Sequence, residues 1–487
     1  MNRFAPMTCI AFLLSSSASF ADVTAADVWE GLESRLDGLG GFSATTEATS
    51  NGLRVSELRF GTNEEISLTL DGAIELQENS DGTVNIVLPP ELRGEVSLDT
   101  GETTEVTLSQ SDMSLVASGT PLAIQYALDA SKLAFKGSYT STNDDTGSYV
   151  IEAENVSGTS FVNKGETIEL DHSYDIKKIR VDAAGTSAPD VHTEAKSEGD
   201  DIAIRIAGNV PDMDSDWPLQ AYMNPDVDLT ISIDQGYSVV DTATTVSGNT
   251  TRTQMTTSKA NTQIRLADNA ASITGLAQEM AGPVVIDGWP LPEINLEIGA
   301  FETAIKVPLS KADDQSDASY KFGISGLSVN DELWDLFDAN ATIPRDPANL
   351  NIDISGTGNF ALDQVSRSKS TDELLADDVF DTVTLEDFSL DLAGAALNAV
   401  GKFAFDYTDK TPDEAPKTDG QLDVSLTGAF TLLDNLVAIG LLQEQQTAGF
   451  KLMSNLFATP GSTSDSLESR LEVKPDGSIF ANGQQIK

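Results

Sequence analysis

Cysteine is nearly absent from this chain, and that absence excludes several kinds of site. The one cysteine, Cys9, lies in a short apolar stretch near the start of the sequence. Everything after it has no thiol for a disulfide, a thiolate metal ligand or a sulfur nucleophile. A lipid anchor at Cys9 is disfavoured, because the preceding Pro-Met-Thr is not the Leu-Ala-Gly type of run that lipoprotein processing requires. The fold is therefore expected to rest on burial and hydrogen bonding alone.

Basic residues are also scarce. The chain has 29 Lys and Arg against 77 Asp and Glu, and its formal net charge is −48. Phosphate binding needs stripes of Lys and Arg, so this balance argues against nucleic acid and against electrostatic docking to anionic lipid. We interpret the acidity as a solvated surface, with attraction of cations or basic partners as the alternative.

Recognisable catalytic motifs are missing as well. His172 and His192 are the only histidines, and their spacing matches no short two-histidine metal motif. The sequence contains neither a Gly-x-Ser-x-Gly elbow nor a glycine-rich phosphate loop. We therefore predict no catalytic residue, no cofactor and no metal centre, and an enzyme such as a hydrolase with scattered carboxylates is only the third interpretation.

Two partial motifs in the sequence point to a possible site. Residues 366–369 have the Ser-x-x-Lys spacing of some acyl-transfer enzymes, but they lie in a polar stretch rather than at a buried helix start. Asp212, Asp214 and Asp216 alternate as at the opening of a calcium loop, yet Trp217 stands where that loop needs glycine. An EF-hand is excluded, and a looser calcium site near the three aspartates stays open.

No apolar run reaches the length of about 20 residues that spans a bilayer. Residues 1–21 instead predict a secretory signal peptide, because Arg3 precedes a short apolar run and Ser19 and Ala21 place small residues before the cut. A cut after Ala18 is the alternative. We expect an exported, periplasmic protein with no transmembrane segment in its mature chain.

Residues 22–41 predict one short amphipathic helix. Thr24 and Asp27 have the spacing of a capping box, with Asp in place of Glu. Apolar residues then recur at helical spacing, namely Val28, Trp29, Leu32, Leu36 and Leu39. The pair Gly40-Gly41 ends the pattern.

After residue 41 the hydrophobic period becomes two, which is typical of half-buried strands. Examples are Ile66, Leu68 and Leu70, then Ile202, Ile204 and Ile206, then Leu350, Ile352 and Ile354. Pairs such as Asp71-Gly72 and Asp81-Gly82 predict hairpin turns between strands. The predicted fold class is mainly β, either a long antiparallel curved sheet or a sandwich-like meander.

We divide this β pattern at Gly288-Trp-Pro-Leu-Pro292 into a β-rich region, 42–287, and a β-rich C-terminal region, 288–487. The second region also contains helical patterns near 331–338 and 431–457. Gly440 and Gly449 interrupt the latter, so it predicts two short helices that cap the open end of the sheet.

Several short segments of the C-terminal third are distinctive together. They are Leu333-Trp-Asp-Leu-Phe-Asp338, Ile343-Pro-Arg-Asp-Pro347, Leu392-Ala-Gly-Ala395, Asp434-Asn-Leu-Val-Ala-Ile-Gly-Leu-Leu442 and Asp476-Gly-Ser-Ile-Phe-Ala-Asn-Gly-Gln484. Together with Asp27-Val-Trp29 and Val307-Pro-Leu309, they resemble the alphaproteobacterial exported proteins of the domain of unknown function 2125 family. That resemblance implies an envelope location and carries over no catalytic residue.

The closing strand and its Asn-Gly turn also resemble, more weakly, the ends of AsmA-like envelope proteins. This second resemblance implies a long curved sheet that carries lipid along an apolar inner groove.

The residues that carry the resemblance have structural interpretations. They are Trp29, Trp334, Pro344, Arg345, Asp346, Pro347, Asn482 and Gly483. The two prolines favour extended backbone before them, so 343–347 is expected to form a stiff bridge into the strand that follows. Arg345 and Asp346 are expected to brace that bridge.

The functional question is what covers the apolar face of the sheet. Our first hypothesis is a non-catalytic periplasmic protein that binds or shields a lipid or another apolar ligand along that face. The alternative is a structural or protein-interaction module of the envelope, whose apolar faces pack on each other in a filled core.

Overall fold

A computed structural model describes residues 23–37, 41–62, 66–98, 103–141, 145–187, 190–211, 224, 226–291, 293–310, 316–359, 380–408, 416–463 and 465–487. The predicted signal peptide with Cys9, the three aspartates at 212, 214 and 216, and the 366–369 motif lie outside these residues.

The chain is mainly β, as predicted, and the 25 strands within the described residues belong to one long antiparallel sheet. The strands are β1 Phe42–Thr49, β2 Gly52–Thr62, β3 Ile66–Glu78, β4 Val84–Val87, β5 Glu91–Leu98, β6 Thr103–Ser111, β7 Ser114–Thr120, β8 Ala123–Thr140, β9 Thr146–Lys164, β10 Thr167–Ser187, β11 Val191–Pro211, β12 Asp228–Gln235 and β13 Ser238–Val246. They continue with β14 Asn249–Ala267, β15 Ala270–Ile286, β16 Ile294–Pro308, β17 Ser316–Val329, β18 Ala348–Gly358, β19 Phe380–Leu392, β20 Ala395–Asp406, β21 Lys417–Thr427, β22 Thr459–Pro460, β23 Ser466–Val473, β24 Ile479–Ala481 and β25 Gln484–Gln485.

The order of the strands across the sheet follows their order in the chain. From β8 to β11, and again from β14 to β21, each strand pairs with the next one. The strands β12 and β13 both pair with β11 and β14, so together they fill one place in the sheet. Of the two predicted alternatives, the long antiparallel sheet is confirmed. The ladder between β15 and β16 continues up to the turn that contains Gly288.

One predicted turn is wrong. Asp71 and Gly72 lie inside β3, whereas the Asp81-Gly82 turn does separate β3 from β4. Residues 66–71 of β3 pair with β5 and residues 75–78 pair with β4, so the pair at 71–72 marks a change of partner rather than the end of a strand. Gly72 has a φ of +129°, which glycine adopts readily.

A line of backbone irregularities, which we call the crease, crosses the middle of the sheet. In each strand that the crease crosses, one residue has no partner in these strand pairings. These residues are Ser131, Asn155, Lys177, Asp201, Ser258, Glu279 and Gly299. Asn155, Asp201 and Glu279 have φ values of 50°, 53° and 50°. Such left-handed residues interrupt the pleat and re-aim the side chains that follow them.

The hydrophobic pattern changes phase at the crease. In β10 the apolar positions are even-numbered up to Ile176 and odd-numbered from Ile179, and in β16 they are even up to Ile298 and odd from Phe301. A Cβ on Gly199 would lie 3.5 Å from Ile179 on one flank of the crease and 2.7 Å from the side chain of Gln235 on the other. The apolar residues of both flanks therefore lie on the same side of the sheet.

Helix α1, Ala25–Asp37, covers one end of this apolar side. Its predicted capping box is present, because the Thr24 N–H donates to Asp27 Oδ2 at 2.9 Å and the Asp27 N–H donates to Thr24 Oγ1 at 3.2 Å. Val28 and Trp29 are buried in a cluster with the first strands, in which Val55 and Leu58 both take part. Those two strand residues differ in phase because β2 has a bulge at Glu57.

A second buried cluster lies at the ends of the central strands. It consists of Val210, Val227, Leu229, Ala271 and Leu309, with half-buried neighbours that include Ile206 and Val307. In this region the apolar side is packed by the chain itself.

Three further helices are α2 Asp331–Asp335, α3 Ala429–Ala438 and α4 Glu444–Phe457. Gly440, with a φ of +80°, follows the end of α3 as the sequence predicts. The predicted break at Gly449 is wrong, because this glycine lies inside α4. No described helix is both long and apolar enough to cross a bilayer.

Replacement of Trp29 tests the packing of α1. Trp29 is 6% exposed, and its ring centroid lies 5.8 Å from that of Phe42. We expect Trp29→Ala to lower the free energy of unfolding by about 3–5 kcal/mol, measured by denaturant titration. Trp29→Phe is the matched control: it should cost much less, because it also removes an indole N–H that is buried without a hydrogen-bond partner. Equal stability of the alanine variant and the parent would contradict this packing.

Glu279 tests the crease. Glu279 already bears the cost of about 1–2 kcal/mol that a left-handed φ imposes on an L-residue, so Glu279→Gly should leave stability unchanged or slightly raised. Glu279→Val should destabilise the fold, because a β-branched side chain tolerates this backbone less well than glutamate does. Gln278 has extended backbone one residue away, and there glycine should destabilise by roughly 0.5–1 kcal/mol. The same response to glycine at both positions in thermal unfolding would argue against a strained backbone at Glu279.

Candidate ligand-binding face

We define the apolar face by three neighbouring rows of side chains that the ladder registers align across the strands. The first row contains Ile206, Ile231, Ile264, Ile273, Ile305, Tyr320, Ile354, Leu385, Leu422 and Leu471. The second contains Ile204, Ile233, Phe322, Ile352, Phe388 and Val424, and the third contains Phe301, Ile324, Leu350, Leu390, Leu397 and Leu426. Because neighbouring strands lie about 4.8 Å apart, the first row extends roughly 48 Å across the sheet.

The opposite face of the same strands is polar. Lys321 pairs with Glu302 at 2.9 Å between two rows of the apolar face, and Lys132 pairs with Glu152 at 2.8 Å beyond the crease. Two clefts of about 560 and 410 Å³ also lie among polar-face residues, including the Asp423–Arg470 pair of the larger cleft. The sheet therefore separates a charged side from an apolar side along most of its length.

Side chains of the apolar face are half-buried rather than buried. Ile305 is 36% exposed, Ile273 40% and Tyr320 41%. Among the described residues, α1 packs on β1–β3 and α3 packs on β20, but no helix makes extensive contact with β9–β19. The described helices thus contact the two ends of the sheet, and the middle strands have little helical cover within the described part of the chain.

A polar pair lies next to the first row, beyond its end at Ile206. Ser160 and His172 stand opposite each other between Tyr126 and Ile206, and Ser160 Oγ lies 2.6 Å from His172 Nδ1. Serine beside histidine is the start of a nucleophilic dyad, but the ladder occupies the neighbouring backbone groups, so the described residues offer no oxyanion donors here. His192 lies on the other flank of the crease, so the two histidines do not come together.

No three potential metal-binding side chains converge within the described residues. The partial calcium motif of the sequence lies outside them, and the question it raises is therefore not answered by the fold.

The residues of the 343–347 bridge form a compact cluster around Arg345. Its guanidinium donates to Asp331 Oδ1 at 2.6 Å, to Asp335 Oδ1 at 2.8 Å and to the Asp338 carbonyl at 2.9 Å. These carboxylates raise the pKa of Arg345. The brace is therefore between Arg345 and helix α2, whereas Asp346 and Pro347 are exposed.

Asp338 is the residue of this cluster that sequence reasoning did not single out. It is 1% exposed, and its carboxylate accepts hydrogen bonds from the backbone N–H of Ile343 at 2.8 Å and of Thr342 at 2.9 Å. These bonds hold the pKa of Asp338 below its ordinary value. Its signal in the sequence is an Asp four residues before a Thr-Ile-Pro segment, where a carboxylate serves a turn.

The other signature residues have geometric roles as well. Trp334 packs on Phe337 with ring centroids 5.4 Å apart. A Cβ on Gly394 would lie 2.9 Å from Pro344, so the bridge touches the β19–β20 turn. Asn482 and Gly483 form the predicted turn, with φ values of 50° and 81°, and Asn482 Nδ2 donates to the Phe457 carbonyl at the end of α4.

The comparisons with known proteins add no relative. No protein-family model matches the chain, and no curated protein or solved structure shows significant similarity to it. The resemblance to the domain of unknown function 2125 and AsmA-like families therefore stays a prediction.

Replacement of Asp338 tests its role in the turn. A depressed pKa contributes stability that is complete above the ordinary Asp pKa of about 3.9 and is lost as the pH falls through the lower pKa of the folded state. We expect Asp338→Asn to lower the melting temperature at pH 7, and the gap to the parent to narrow below about pH 4. Exposed Asp346→Asn is the control and should change little. A gap for Asp338→Asn that stays constant with pH would refute the assignment.

Proposed function

We propose that this protein binds lipid acyl chains, or an apolar ligand of similar shape, along the apolar face, and that it does so without catalysing a reaction. The observation that carries the proposal is the combination of ten aligned apolar side chains in one row with little protein cover over the middle strands.

The size of the face supports a ligand. The first row extends roughly 48 Å, the second roughly 43 Å and the third, from β16 to β21, only about 24 Å, so with rows about 7 Å apart the footprint is about 500 Å². The largest exposed apolar patch on a typical monomer is about 300–600 Å² and is often functional. The apolar face lies in the upper part of this range, which supports a binding function.

The shape of the face favours chains over compact ligands. One leaflet of a bilayer has an acyl layer about 15 Å deep, half of the hydrocarbon core, so the first row equals about three such lengths end to end. Within the three rows the hydrogen-bonding side chains are Thr262 and Thr303 of the second row and the hydroxyl of Tyr320. A compact polar substrate would find few partners there.

The apolar side of the sheet continues beyond the crease. Leu296, Ile298 and Met280 continue the apolar side on the second flank, because the phase of the pattern changes with the backbone. The proposed binding surface therefore has two flanks, which would contact a chain lying along the crease from both sides.

The location is part of the proposal. Residues 1–21 have the pattern of a signal peptide, and an exported protein of the cell envelope would meet lipid on either side of the periplasm. The excess of 48 acidic over basic residues disfavours attraction to anionic headgroups, so recognition is proposed to act on the acyl part.

A structural or protein-interaction module is the second candidate. It is favoured by the cluster around Leu229 and Leu309, where the apolar side is filled by the chain's own side chains. If similar packing extended over the whole face, the protein would need no lipid, and an envelope protein would be the partner.

A photo-crosslinking pair separates these candidates. Phe322 belongs to the apolar face and Lys321, the preceding residue, to the opposite face. With benzoylphenylalanine at each position in turn, irradiation of cells followed by mass spectrometry should yield lipid adducts at 322 and none at 321. Organic extracts of the natively purified protein should contain stoichiometric lipid.

Protein adducts at 322 without lipid would favour the interaction module. Absence of both lipid adducts and extractable lipid would refute the proposed function, and equal lipid labelling at 321 would show that the labelling is non-specific.

A further inference from the structure

The two ends of the sheet differ in how well their outer strands are protected. Among the described residues, the outermost strands at the C-terminal end are β22 and β25, of two residues each, and β22 contains Pro460. Short strands and proline keep another chain from pairing with a sheet edge. At the N-terminal end β1 has eight residues, Phe42–Thr49, with neither proline nor lysine. Within the part of the chain that the structure describes, β1 pairs only with β2.

Half of the backbone groups of β1 face away from β2. Thr49 and Gly52 flank the two-residue turn and bond to each other, and the bonding residues of β1 alternate from there. Thr46 and Ala48 therefore direct their N–H and C=O groups outward, and we call these outward groups the open edge. The side chains of residues 45–49 are exposed on both faces of the strand, so the open edge is accessible.

The hairpin formed by β1 and β2 is electrically balanced, unlike the chain as a whole. It contains two acids, Glu47 and Glu57, and two bases, Arg54 and Arg59, whereas the chain has 77 acidic and 29 basic residues. Glu47 is the only charged residue of β1, and it lies opposite Arg54 in the ladder. A partner at the open edge therefore meets little of the repulsion that two strongly acidic molecules exert on each other.

A second copy of the chain fits the open edge. Because the C-terminal edge is protected, head-to-tail addition of copies is disfavoured, and the arrangement that remains pairs β1 with β1 about a two-fold axis. An axis through Thr46 pairs residues 43–49 of the two copies. An axis through Thr45, one residue earlier, pairs residues 42–48. In both registers Glu47 faces a residue without charge, so no two like charges meet.

We propose that two copies of the chain associate edge to edge through β1, with the two-fold axis at Thr45 or Thr46, and form a dimer with one continuous antiparallel sheet. The axis is perpendicular to the sheet, so the apolar sides of both copies lie on the same side of the dimer. Seven residue pairs make a small interface, and the dimer is therefore reversible rather than permanent. This inference is independent of the proposed function, and its failure would leave lipid binding untouched.

Cysteine crosslinking tests the pairing without disturbing it. Two copies of an axis residue have Cα atoms about 4.5–5.5 Å apart, which is within disulfide range. In a Cys9→Ser background, mild oxidation should therefore link either Thr45→Cys or Thr46→Cys into a covalent dimer. Thr459→Cys, at an exposed threonine of the protected edge, is the matched control and should stay monomeric. Absence of a dimer at both 45 and 46, or equal crosslinking at 459, would overturn the proposal.

Sedimentation of the purified full chain gives a second readout. The parent should show a monomer–dimer equilibrium that shifts toward the dimer as salt screens the repulsion between the acidic copies. Ala48→Pro removes one outward N–H from each copy and leaves the bonds between β1 and β2 in place, so it should weaken the dimer by about tenfold or more.

Ala48→Thr keeps that N–H and is the matched control, which should associate like the parent. The melting temperature of each diluted variant verifies that its monomer is folded. A parent that stays monomeric at every concentration and salt level, or a folded Ala48→Pro variant that associates as tightly as Ala48→Thr, would refute pairing through β1.

Discussion

The constraint on which the rest of the structure depends is that one side of a very long sheet must stay apolar across a break in the pleat. A strand of 19 to 21 residues, such as β9, β10 or β11, would carry its apolar side chains to the wrong face after any local irregularity. Here the sequence changes phase at the same level in neighbouring strands. The shifted alternation therefore depends on the left-handed backbone at Asn155, Asp201 and Glu279. Either one without the other would place apolar side chains on the opposite face of the sheet.

Much of this architecture is readable from the sequence. The alternation from Ile66 onward predicts the meander, and the Thr24–Asp27 spacing predicts how α1 begins. The Asp71-Gly72 turn is wrongly predicted because an Asp-Gly pair looks the same at a turn and at a point where a strand changes partner. Gly449 was misjudged because packing against α3 retains a helix that propensity alone would interrupt.

The candidate site was only half predictable. That the sheet has one apolar face follows from period two, but the rows on that face depend on ladder registers, which no local pattern specifies. The change of phase can be seen in the sequence of β16, where Ile294, Leu296 and Ile298 give way to Phe301 and Ile305. It can be interpreted only when the strands are aligned and the matching changes in β10 and β15 are found at the same level. Asp338 was missed because one more acid among 77 carries no signal until its two backbone donors are known.

The proposed function depends on what covers the apolar face, and a crystal structure of the protein purified natively from envelope membranes is the most direct test. We expect elongated density for acyl chains against Ile305, Tyr320 and Ile354, with no protein side chains between. An apolar face filled by the chain's own segments, or bare and contacted by water, would contradict it.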